Sequence, residues 1–117
     1  MSHSARLGKY NYTMENLTDD LNNKYQVTIH FEMDEDFMGF VPSHRVYVSS
    51  LIEKGSIDYY SVSMETQRCW IIINALNKKE VQKHLENSPL YKYWTVEIDE
   101  LFVYDAQSYR LPALQLN

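Results

Sequence analysis

Residues 41–104, VPSHRVYVSSLIEKGSIDYYSVSMETQRCWIIINALNKKEVQKHLENSPLYKYWTVEIDELFVY, decide the fold. Pro42 suits the first position of a helix, where its missing N–H is lost anyway. Lys54-Gly55 is a helix stop. The pattern therefore predicts a helix over 42–54. Its apolar stripe is Phe37, Val41, Val48, Leu51 and Ile52, with His44 and Tyr47 on the same face. Ile57 to Met64 reads as a strand, the polar run 65–68 as a hairpin connection, and Cys69 to Ala75 as a second strand. Asn77-Lys78-Lys79-Glu80 is a capping box, with Leu76 and Val81 at the staple positions around it. The helix that follows stops by Ser88-Pro89, and a final strand spans Trp94 to Tyr104.

Upstream, Tyr25, Val27, Ile29, Phe31 and Met33 alternate with Gln26, Thr28, His30 and Glu32, the mark of a half-buried strand. Asp34-Glu35-Asp36 ends it, and a short turn over 36–40 precedes the helix at Pro42. The order is βαββαβ, a ferredoxin-like α+β sandwich with expected strand order 4-1-3-2. Residues 1–24 read as a polar N-terminal extension with one helical turn near Thr18, 25–105 as the domain, and 106–117 as a C-terminal arm whose Leu111, Leu114 and Leu116 suit docking on a partner.

Such a sheet carries both helices on one face. Yet strand 69–75 is apolar on both sides, with Ile71, Ile73 and Ala75 opposite Trp70 and Ile72. A strand buried on both faces needs cover on both. The simplest cover is the sheet of a second copy, with Trp70 or Ile72 against it, which predicts a homodimer or higher even oligomer.

Composition excludes several classes. Sixteen acidic against eleven basic residues give a net charge of −5, and Lys78, Lys79 and Lys83 are interleaved with acids. No basic face for nucleic acid results. The single cysteine, Cys69, lies in an apolar strand and reads as an inert buried thiol. No stretch has the length of a membrane span and no apolar signal core opens the chain, so a cytoplasmic protein is expected. With glycine only at 8, 39 and 55, and no Ser elbow or CxxC, no nucleotide cofactor, thiol chemistry or bound metal is expected.

Pro42-x-His44-Arg45 through Gly55-x-Ile57 resembles small dimeric α/β-barrel proteins of the YCII-related and muconolactone-isomerase-like groups. Ser88-Pro89-Leu90-Tyr91-x-Tyr93, followed by Val96-x-Ile98-x-x-Leu101, is similar to the tail of muconolactone isomerases. The likeness covers about 25–104. It implies two four-stranded sheets packed face to face, helices outside, and a pocket near the start of the first helix. His44 matches the helix histidine that in YCII-related proteins works with an acidic partner; Asp58 and Glu32 are the candidates for that acid.

In the first turn of its helix, His44 would feel the positive end of the dipole and stay neutral, as a base for a proton α to a carbonyl. It equally suits a core position, bonded to a tyrosine or a backbone carbonyl. His30 and Glu32, two apart on one strand face, suit a ligand contact in the dimer barrel or a polar pair at its interface. Tyr47, Tyr59, Tyr60 and Tyr93 are the candidate substrate-binding residues. With Tyr91 and Trp94, the tyrosines could wall an aromatic pocket or pack plainly as core. Two functions follow: a cofactor-free isomerase or lyase with His44 as general base, acting on a small cyclic or aromatic carbonyl compound, or a non-catalytic dimeric protein binding a small ligand or a partner.

Overall fold

The computed structural model describes residues 22–106. Their order is β1 (Asn23–Phe31), α1 (Phe37–Glu53), β2 (Ile57–Ser63), β3 (Arg68–Ala75), α2 (Lys78–Glu86), a 3-10 turn (Tyr91–Tyr93) and β4 (Trp94–Glu100). The four strands form one sheet in the order β2-β3-β1-β4, every neighbouring pair antiparallel. This is the expected 4-1-3-2 order read from the other edge. An α+β domain of this order is compatible with a ferredoxin-like fold. Each helix links two strands separated by one other, and the right-handed preference of such crossovers sends both helices to the same face. The expectations for residues 1–21 and 107–117, including the arm leucines, lie outside the described residues. The expected domain start at 25 falls two residues inside β1.

The helix-side face follows the predicted alternation. Tyr25, Val27, Ile29 and Phe31 of β1 are buried, and so are Cys69, Ile71, Ile73 and Ala75 of β3. The register puts Val27 opposite both Ile71 and Ile98, and Ile29 opposite Cys69 and Val96. Val81 and Leu85 of α2 and Phe37, Val48 and Leu51 of α1 close over them. Each such side chain contributes about 1.5–3 kcal/mol when fully buried.

α1 starts five residues earlier than its proline suggested. Asp36 is the N-cap and Phe37 the first helical residue, so Pro42 lies inside the helix. The Asp34 carboxylate accepts the Asp36 N–H at 2.9 Å, and the Asp34 carbonyl accepts the Phe37 N–H at 3.2 Å. Burial of Phe37 between Phe31, ring centroids 5.4 Å apart, and Tyr93, 5.0 Å apart, anchors this first turn. Tertiary packing here overrides the local cost of an interior proline. Ile52 is 45 % exposed and leaves the inward stripe. Gly55, at φ +82°, closes the helix in the left-handed region as expected.

The α2 cap differs in one detail. The Asn77 side chain accepts the Glu80 N–H at 2.9 Å, but Glu80 reaches back to the Leu76 N–H, at 2.7 Å, one residue before the N-cap. Leu76 is half exposed, so no buried staple accompanies Val81.

On the other sheet face stand Gln26, Thr28 and His30, opposite Ile72, Trp70 and Arg68. Asp58 is the extra residue of a register shift between Ile57 and Tyr59. Its carboxylate accepts from Lys24 Nζ at 2.6 Å and from Asn74 Nδ2 at 2.8 Å. Ile72 is 1 % exposed within the single chain, flanked by Gln26 and Tyr59. Trp70, the other residue expected against a second copy, stays partly exposed.

Candidate functional site

Phe37, Val41, His44, Val48 and Leu51 recur at helical spacing and turn the α1 stripe onto the sheet. His44 is the polar member of that stripe and is 2 % exposed. Its Nδ1 lies 2.8 Å from Ser88 Oγ and its Nε2 2.7 Å from the Tyr60 hydroxyl. The Trp94 ring meets the imidazole edge-on, centroids 5.6 Å apart.

The donor count assigns the tautomer. Ser88 Oγ already accepts the Leu90 N–H at 3.0 Å, and Ser88 is buried. The acceptor within reach of its own proton is His44 Nδ1. A buried hydroxyl proton left unpaired costs about 1–3 kcal/mol. Ser88 therefore donates to Nδ1, and Nε2–H donates to the Tyr60 oxygen. The Tyr60 O–H is then free to point onward, toward the Cys69 thiol and the space beside it.

All members of this chain are neutral near pH 7. Burial, aided by the neighbouring Arg45 charge, lowers the His44 pKa to about 4. Burial, and then the neighbouring Cys69, raises that of Tyr60. Burial pushes the Cys69 thiol up to about 12, partly offset by the neighbouring Tyr60 hydroxyl, so it is no nucleophile. The helix dipole has no part in this. With α1 starting at Phe37, His44 is in the third turn, beyond the dipole's reach. Its neutrality arises from desolvation instead.

His44 and Tyr60 line a cavity of about 320 Å³ between α1 and the sheet. Phe31, Phe37, Leu90 and Trp94 form its apolar interior. Met38, Val62 and Met64, respectively 60, 44 and 53 % exposed, rim its mouth together with Arg45. The volume lies at the lower end of small-molecule sites.

The other predicted residues lie elsewhere. Tyr59 is on the opposite sheet face, because neighbours in a strand alternate. Tyr47 donates to the His84 carbonyl at 2.7 Å, tying α1 to α2. Tyr93 donates to Asp34 at 2.8 Å and packs on Phe37, and Tyr91 bonds Gln82. His30 is exposed on the open face. β1 ends at Phe31, so Glu32 lies beyond the ladder, its N–H on the Tyr93 carbonyl, in a shallow polar groove with Lys92. Neither proposed acid meets His44: Asp58 is engaged by Lys24 and Asn74, and the His44 partners are hydroxyls. Ser88 read only as a helix stop, and Arg45 only as part of a motif. Nothing in the pattern signalled that Ser88, 44 positions downstream, would meet His44. Among the described residues no three His, Cys, Asp or Glu side chains gather as a metal cage, and no helix is long and apolar enough to cross a membrane.

The fold and site define an α+β domain with an apolar cavity and a buried Ser–His–Tyr hydrogen-bond chain in its wall. No model of a known protein family matches the chain, and no curated protein matches it.

Proposed function

We propose that the protein binds a small, mainly apolar compound in the cavity between α1 and the sheet, without transforming it. The carrying observation is the apolar enclosure with one oriented donor, the Tyr60 O–H, held by His44 and Ser88. The ligand would place its apolar body against Phe37 and Trp94 and an acceptor oxygen at Tyr60. Binding is favoured over catalysis because both imidazole nitrogens are engaged. A base whose conjugate acid has a pKa of about 4 takes up a proton poorly at neutral pH.

A second reading rests on the same hydroxyl. Tyr60 O–H at a carbonyl oxygen would stabilise an enolate, as a cofactor-free isomerase or lyase of the muconolactone-isomerase-like or YCII-related kind requires. We further propose that the open sheet face pairs with a second copy as a dimeric α/β barrel; the partly exposed Trp70 at the centre of that face supports it.

Thermal-shift measurement with a panel of apolar compounds tests the primary reading. Several should raise the melting temperature of the wild type, and Val41→Trp, which fills the cavity, should abolish the shifts. Shifts that persist in Val41→Trp would place binding elsewhere. Turnover of an enol-lactone, lost in Tyr60→Phe, would establish the second reading instead.

A further inference from the structure

Among the described residues, the charge at the cavity mouth, Arg45, meets no carboxylate and lies only over the Tyr60 ring. Among the described residues the one ion pair is Lys24–Asp58, on the opposite sheet face. Arg45 is exposed beside the cavity, its guanidinium carbon 5.8 Å from the centre of the Tyr60 ring. Glu53 shares a surface groove with Arg45 but does not come within ion-pair distance. Arg45 and Tyr60 thus share one corner of a largely apolar space. Around that corner Met38, Val62 and Met64 hold apolar surface in solvent. Methionine side chains re-pack easily around hydrocarbon of varied shape.

We infer that the ligand is an amphipathic carboxylate, its carboxyl group shared between Arg45 and the Tyr60 O–H at the mouth and its hydrocarbon body inside the cavity. The inference rests on the binding role proposed above and adds the charge of the ligand. One carboxylate oxygen faces the guanidinium, whose planar fork suits this group better than any neutral one. The other accepts the Tyr60 proton in place of the Cys69 thiol, a much weaker acceptor, while His44 and Ser88 hold the hydroxyl oxygen. Anion and cation meet at the rim, where the guanidinium stays partly hydrated, so no unpaired charge is buried. The apolar body displaces water from Phe37, Leu90 and Trp94.

Octanoate and octan-1-ol, equal in chain length and different in charge, are the probes for calorimetric titration of wild type, Arg45→Gln and Arg45→Lys. Glutamine keeps helix propensity at this exposed position, so the variants should fold. In the wild type octanoate should bind about tenfold more tightly than octan-1-ol, the scale of one charge-assisted contact. Arg45→Gln should lose that preference, so that the two probes bind alike, and Arg45→Lys should fall between. Equal binding of the two probes by the wild type, or a preference retained in Arg45→Gln, would overturn the carboxylate assignment and leave the cavity reading standing. Failure of both probes to bind the wild type would overturn both.

Discussion

Lowering the pH should weaken this protein through His44. The imidazole is buried and neutral, with a pKa lowered from the ordinary 6.5 to about 4 by burial and by Arg45. In the unfolded chain the same group charges near 6.5. Between these values the unfolded state binds the extra proton, so stability is fully present above about pH 6.5 and falls as the pH drops toward 4. The full gap is worth about 3 kcal/mol at about 1.4 kcal/mol per pH unit. Between pH 7.5 and 5 the loss comes to about 2 kcal/mol. Urea unfolding at the two pH values, in wild type and His44→Gln, isolates it, since other groups contribute alike to both. Asp34 stays outside this window. The Tyr93 hydroxyl lowers its pKa below 3.8, and stability gained that way disappears only at still lower pH. The expected result is an extra loss of about 2 kcal/mol in the wild type relative to His44→Gln. Equal pH dependence in the two proteins, or an NMR titration of the His44 ring near pH 6.5, would refute a buried neutral imidazole.

Tyr60→Phe removes the partner of Nε2–H and should cost about 1–2 kcal/mol in denaturant unfolding; an unchanged midpoint would mean that the hydroxyl contributes nothing to the chain. Pro42→Ala restores a backbone donor within α1 and should stabilise by about 1–3 kcal/mol, whereas a loss of stability would show that the proline ring packs usefully. The wild type should scatter light as twice its 13.9 kDa chain mass at micromolar concentration, and Trp70→Glu should scatter as one chain. A wild-type mass of one chain would remove the barrel pairing.

Several features were legible in the residues alone. The order and pairing of the strands follow from period-2 alternation in Tyr25–Phe31 and Cys69–Ala75, together with the handedness of the crossovers. The ends of the two helices at Gly55 and Asn77 were equally plain, because caps and left-handed stops are local chemistry. The place of His44 on the inward stripe was readable for the same reason, since helical periodicity is set within one segment.

What the residues could not show is everything that depends on distant groups meeting. The start of α1 lies at Phe37 because Phe31 stacks on that ring and Tyr93, far downstream, meets it edge-on, contacts that outweigh an interior proline. Tyr59 and Tyr60 look alike in a list, yet the β2 register sends them to opposite faces. His44 meets two hydroxyls and no acid, Ser88 from just past α2 and Tyr60 from β2. Local patterning determined which segments form and which face each turns inward. Which side chains then share the cavity was decided by packing across the sheet, because those contacts form only when the whole chain has closed.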